Sequence, residues 1–269
     1  MRKVIALVAL AAAVVGGAVF LARRAGAPEP ATAPPGARAQ GPRPALSQRI
    51  PAGRVEDPGA RYRVPVEDSP VRGAPDALLT IVELADFECP YCKAAQAKLR
   101  QVEAAYGAKV RLVFKQNPVS AHHNAFRAAL IAEEARAKGG DTKFWRVHDR
   151  LFSLPDLGGD ALDGVMRGAG LEEASMKAAQ VAHVDRIRRD QNLAFSLGAQ
   201  GTPTFFVNGR KLVGAVPLET FRTLADEELA AAEALVRAGV AARDVYERTT
   251  EKAATSLVLV DAPPAEARN

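Results

Sequence analysis

Residues Leu78 to Phe114 read LLTIVELADFECPYCKAAQAKLRQVEAAYGAKVRLVF. Leu78 to Ala85 is aliphatic and β-branched apart from Glu83, which predicts a strand. From Pro90 to Tyr106 the chain is alanine-rich with apolar residues at helical spacing, and Gly107 closes it, so a helix is expected there. Val110 to Phe114 predicts another strand. Strand, helix, strand in this order makes a βαβ unit with a parallel pair.

The chemistry sits where that helix begins, at Cys89-Pro90-Tyr91-Cys92, which holds the only cysteines in the chain. With Cys89 at the N-cap, Pro90 takes the first helical position, where its missing N–H costs nothing. Positions i and i+3 share one helix face, so the two sulfurs can close a small ring. The first sulfur also lies at the positive end of the helix dipole, which lowers its pKa below the free value near 8.5. A thiolate is the nucleophile of disulfide exchange. Cys89 is therefore assigned as the attacking cysteine and Cys92 as the resolving one.

Two other readings compete. A zinc site wants further Cys or His at ligand spacing, but the next histidines, His122 and His123, are some thirty positions on and adjacent to one another. A structural disulfide closing so short a loop would stabilise little. Redox chemistry is the reading the pattern favours, with no metal site expected.

Working outward, Arg61 to Val66 predicts a strand, separated from Leu78 by a Pro/Gly-containing turn. Residues 120–198 are largely helical, with breaks at Gly139-Gly140, Pro155 and Gly158-Gly159. Thr204 to Val207 and Arg210 to Val213 flank Asn208-Gly209, a strong hairpin signal. Pro217 opens a further helix that ends near Gly239, and a last one is expected from Val240 to about Ala253. Trp145 reads as core of the helical stretch. His122, His123, His148 and His183 read as surface or capping residues.

The N-terminus runs Arg2-Lys3, then eighteen residues from Val4 to Leu21 without a polar side chain, then Ala22-Arg23-Arg24. Such a segment is an export signal or a membrane anchor. Its length favours an anchor through residues 4–22; its six alanines, Gly16-Gly17 and the Ala25-Gly26-Ala27 site favour cleavage. Residues 28–60 hold eight of the eighteen prolines and few large aliphatics, the composition of a semi-stiff linker.

The chain has 269 residues, 48% of them hydrophobic and 25% charged, which is a globular composition. Its net charge of +5 comes from the first 75 residues, with eleven Lys/Arg against five Asp/Glu; the remainder is near neutral. Nucleic acid is disfavoured as a partner on that ground.

Val82 to Lys93, VELADFECPYCK, together with Gly201 to Gly209, GTPTFFVNG, resembles the DsbA-like family of thioredoxin-fold thiol:disulfide oxidoreductases. The resemblance covers about residues 61–240. It implies an α/β thioredoxin fold with a helical insertion, about residues 118–200, between the βαβ unit and the C-terminal hairpin and helix. The domain is then expected to span residues 61–257, behind a signal or anchor at 1–27 and the linker at 28–60, with 258–269 as a tail. It further implies that Pro203 is cis and faces the cysteines, holding the backbone of Thr202 open to pair with a substrate strand. Glu83 stands where many members carry a buried acid, placed to take the proton of Cys92. Tyr91, and less so Phe87 and Phe205, are candidates for an apolar surface that receives unfolded peptide. Asp86, Glu88 and Lys93 lie near Cys89 with opposing effects on its pKa.

The activity so implied is disulfide formation in exported, thiol-containing proteins, in the periplasm or another extracytoplasmic space. It needs no cofactor, a separate redox partner for reoxidation, and only a monomer. Pro-Tyr between the cysteines, where the strongest oxidants of the family have Pro-His, implies a milder oxidant. A reductase or isomerase, and a peptide-binding module with no redox role, are the alternatives.

Overall fold

The computed structural model describes residues 53–57 and 59–255. The expectations for residues 1–27, for most of the 28–60 linker and for the 258–269 tail fall on residues outside those described. Among the described residues no helix is long and apolar enough to cross a membrane.

The elements run β1 (Arg54–Val55), β2 (Val71–Gly73), β3 (Leu79–Ala85), α1 (Pro90–Tyr106), β4 (Val110–Gln116), α2 (Ala125–Ser153), α3 (Gly159–Gly168), α4 (Glu173–Ser196), β5 (Thr204–Val207), β6 (Arg210–Val213), α5 (Leu218–Arg237) and α6 (Val245–Thr250). The strands form one sheet in the order β1-β6-β5-β3-β4-β2. Only β3 and β4 pair in parallel, from Leu79 opposite Val110 to Ala85 opposite Gln116. The other pairings are antiparallel. This is the thioredoxin-like α/β fold, and α2, α3 and α4 form the helical insertion between β4 and β5.

Every residue of β3 is buried, because helices or loops cover both faces of the sheet. Leu79, Ile81 and Ala85 alternate into the larger core with Leu99, Phe114, Phe144 and Phe221. Val82 and Leu84 point to the other face, against Tyr62, Phe206 and Leu197. The period of two puts Glu83 on the first face, the one covered by α1.

Two expectations about the N-terminal side need correction. Arg61 to Val66 is not a strand: Tyr62 makes a single bridge to Ala254. Both sheet edges are already occupied, by β1 and β2, so this segment packs Tyr62 and Val64 onto the sheet's face instead. The ordered sheet also begins inside the stretch read as linker, since β1 pairs Arg54 with Val213 and Val55 with Leu212. The proline content of residues 28–60 gave no sign of this two-residue strand.

The helical breaks fall near where the glycines placed them. Gly139 (φ −155°) and Gly140 (φ 64°) interrupt α2, leaving two helical arms. The hairpin matches its sequence signal, with Asn208 at φ 43° and Gly209 at φ 91°. The Asn208 side chain pins the turn to β3 by accepting from Thr80 N–H at 2.8 Å and donating to the Leu78 carbonyl at 2.9 Å. A Cβ on Gly209 would stand 2.8 Å from the Tyr62 carbonyl oxygen. Gly209→Ala is therefore expected to destabilise the fold by about 1–3 kcal/mol, read as a lower denaturant midpoint with an unchanged slope.

Candidate functional site

Cys89 caps α1 in an extended conformation (φ −70°, ψ 121°), with Pro90 at the start of the helix. Its amide donates to the Asp86 carbonyl at 3.1 Å, closing a turn just before the helix. One turn further, Cys92 lies on the buried face of α1 with Ala95, Gln96, Leu99 and Val102. Both are free thiols; Cys89 is 3% exposed and Cys92 wholly enclosed. The Thr202–Pro203 peptide is cis. β5 begins at Thr204, so Thr202 stands outside the ladder, and its carbonyl accepts from the Cys89 thiol at 3.4 Å. The sheet thus brings Cys89, Cys92, Thr202 and Pro203 together across more than a hundred residues of chain.

The two sulfurs are electrostatically unlike. Cys89 is lowered to about 6, chiefly by the hydrogen bond from the Cys92 thiol, with help from the Thr202 side chain and the Cys92 and Tyr91 amides against the opposing cost of burial. Cys92 is pushed well above the ordinary thiol range by burial first, then by its hydrogen bond to Cys89 and the nearby Cys89 and Glu83 charges. The Asp86 amide reaches Cys92 Sγ at 3.5 Å and opposes that rise only weakly.

Glu83 is 2% exposed and accepts one hydrogen bond, from Gln96 Nε2 at 2.8 Å. Burial raises its pKa to about 8, partly offset by Gln96. Its carboxyl is neutral through most of the physiological range and adjoins both thiols electrostatically. A buried acid, a buried thiol and a low-pKa thiol in sequence can exchange a disulfide and hold the proton released or consumed.

The flanking charges whose effect on Cys89 sequence left open serve mainly to shape the rim. The buried Asp86 carboxylate accepts from Glu88 N–H, Val119 N–H and the His122 ring, each at 2.7 Å. Glu88 accepts from Asn124 N–H at 2.6 Å, and Lys93 donates to the Leu154 carbonyl. His122 is raised above its ordinary pKa: burial works against its charge, but the Asp86, Cys89 and Glu88 charges outweigh it. An imidazole paired with the Asp86 carboxylate therefore borders the site, although no basic residue lies between the cysteines.

Tyr91 is half-buried and packs on the core rather than standing free. Phe87 and Phe205 are core residues, stacked on Phe114 (centroids 5.1 Å) and edge-on to Phe221 (5.4 Å). His148 corrects its surface assignment. It is buried among Phe87, Phe114, Phe144, Trp145 and Phe152, and burial lowers its pKa to about 4. Its spacing of three and four from those aromatics along α2 was the available signal.

Sequence reasoning missed Gln96 and Lys211. Gln96 sits four residues beyond Cys92, on the same buried face, which was legible. Lys211 was not. It is 2% exposed, pairs with Glu56 at 2.7 Å, and donates to the Leu197 and Gly198 carbonyls at 3.0 and 2.8 Å, fixing the segment that leads to Thr202. No group of His, Cys, Asp and Glu suited to a metal occurs among the described residues.

Comparison with known proteins agrees with this fold. A thioredoxin-like oxidoreductase from Silicibacter pomeroyi is 28% identical with a TM-score of 0.54, over 60% of this chain and 92% of that one. A periplasmic thioredoxin-like protein from Salmonella enterica serovar Typhimurium is 26% identical with a TM-score of 0.51, over 61% and 94%. BdbD from Bacillus subtilis, at 22% identity and a TM-score of 0.56 over 64% and 98%, shares the fold. The Na(+)/H(+) antiporter NhaA 3 of Salinispora tropica is 37% identical over 152 residues, 55% of this chain. The chain spans only about a quarter of that relative's length, too little to carry its named activity across. The family model of the DSBA-like thioredoxin domain matches residues 80–226, from the strand before the cysteines into α5, and the chain belongs to that family.

Proposed function

We propose that the chain is a thiol:disulfide oxidoreductase that forms disulfides in exported proteins by exchange through Cys89 and Cys92. The observation that carries this reading is the asymmetry of the pair: a nearly buried thiol lowered to about 6 at the start of the helix, hydrogen-bonded to a fully buried thiol raised well above its ordinary value. In the oxidised enzyme a substrate thiolate attacks Cys89 Sγ, a mixed disulfide forms, and Cys92 leaves as a thiolate. Glu83, protonated below about pH 8, supplies its proton. A second substrate thiolate then attacks the substrate sulfur and expels Cys89, which leaves readily because its thiolate is stable. The substrate gains a disulfide, both enzyme cysteines end reduced, and a separate redox partner must reoxidise them.

Thr202 and cis Pro203 serve as the strand-pairing edge that holds the substrate during the mixed disulfide, with Tyr91 at its apolar border. Export rests on the apolar segment 4–21 and places the enzyme in the periplasm or another extracytoplasmic space, as a monomer tethered through that segment where it is retained. The equilibrium potential of the Cys89–Cys92 pair, titrated in glutathione buffers, tests the direction. A value more oxidising than about −180 mV is expected, and one below about −240 mV overturns it in favour of a reductase.

A further inference from the structure

Away from the cysteines, a cavity of about 510 Å³ opens between the second arm of α2 and helix α3. That is the size of a small-molecule site. Lys143, Arg146 and Arg150, at i, i+3 and i+7 on one face of α2, line one wall. Val147 and Val165, both buried, form an apolar floor with the backbone of Gly164 and Gly168.

Two features of this cavity lack an explanation within the fold. The three cations repel one another at helical spacing, yet no carboxylate lines the cavity, and among the described residues none of the three pairs with one. Asp149 and Asp163, the acids near them in sequence, are engaged by Arg72 and Arg127. The glycines are also costly in a helix compared with alanine. A Cβ on Gly164 or on Gly168 would meet nothing within 4 Å, so no close packing requires them. Their effect is to keep the space open.

We propose that this cavity binds an anionic amphiphile, a carboxylate or phosphate head group on a short acyl chain. The head sits in the fork of Lys143, Arg146 and Arg150, and the chain lies along Val147, Val165 and the bare backbone of α3. Guanidinium groups suit such heads because they donate two parallel hydrogen bonds. The same arm of α2 turns His148 and Phe152 to Phe87, two residues before Cys89, so the cavity occupies a separate face from the redox pair.

Calorimetric titration of the full chain tests this with decanoate, with monomeric dihexanoyl phosphatidylglycerol, and with decanol as the uncharged control. At least one anionic probe is expected to bind with a Kd below about 1 mM, and decanol at least about tenfold more weakly. A Lys143→Gln/Arg146→Gln/Arg150→Gln variant and, separately, Gly164→Leu should each weaken binding at least about tenfold while disulfide exchange is unchanged. Tighter decanoate binding assigns a free acyl acid; tighter phosphatidylglycerol binding assigns a lipid head group. Absence of binding by both anions, decanol binding as tightly as they do, or binding that survives either variant overturns the proposal.

Discussion

Cys89→Ser is expected to abolish disulfide exchange, lowering the rate at least about a thousandfold, as loss of a covalent nucleophile does. The hydroxyl cannot ionise in the range where the Cys89 thiol does, near pH 6. Cys92→Ser should behave differently. Its Cys89 thiolate can attack a disulfide already present in an oxidised substrate, expelling one substrate thiolate, and with no Cys92 thiol to displace it the mixed disulfide accumulates and is seen on a non-reducing gel. Exchange that survives Cys89→Ser removes Cys89 as the nucleophile and overturns the proposed mechanism.

The same lowered pKa has a thermodynamic signature. In the reduced protein the thiolate of Cys89 is favoured by folding, since its pKa of about 6 lies below the ordinary 9.0. Between these values the unfolded state binds more protons than the folded one, so stability rises with pH and is lost as pH falls through 6. At pH 7 this is worth at most about 1.4 kcal/mol to the dithiol form, with partial solvent screening reducing it, or about 30 mV of oxidising power. The rate of alkylation at Cys89 should accordingly have its midpoint near pH 6.

Glu83→Gln carries the second large effect. Because Glu83 supplies the proton to Cys92 as that sulfur leaves, its loss should slow the first attack on Cys89 about a hundredfold while leaving intact the second step, in which Cys89 leaves. Single-turnover kinetics separate the two steps, and an unchanged rate of mixed-disulfide formation removes Glu83 from the mechanism. Stability should shift as well, in the opposite sense to Cys89. The folded state keeps the Glu83 proton up to about pH 8, while the unfolded chain loses it near 4.5. Stability therefore falls as pH rises across that window, by up to about 1.4 kcal/mol per unit. The neutral glutamine removes this slope, so the variant should be the more stable protein at pH 8, as urea melts at pH 5 and pH 8 would show.

Much of the fold was legible because local signals and tertiary structure agree. The helix from Pro90 to Tyr106, the strand before it and the hairpin around Asn208-Gly209 all carry their own start and stop residues. The failures lie where distant chain decides. Arg61 to Val66 has strand composition, yet two short strands elsewhere take both edges of the sheet. His148 looks polar in sequence but is packed inside an aromatic cluster.

By itself the sequence determined where the reactive pair sits on its helix and which cysteine caps it, because a four-residue motif and a proline act through local backbone geometry. It could also place Glu83 on the α1 side of β3 once that strand was recognised, since side chains alternate with a period of two. Only the tertiary structure decided that Thr202 would lie 3.4 Å from Cys89, that Gln96 would hold Glu83, and that Lys211 would be buried to fix the approach to Pro203. Those contacts span from 13 to 113 residues of chain. Burial of a charge or a thiol is a property of everything packed around it, and so are the pKa values that set its chemistry.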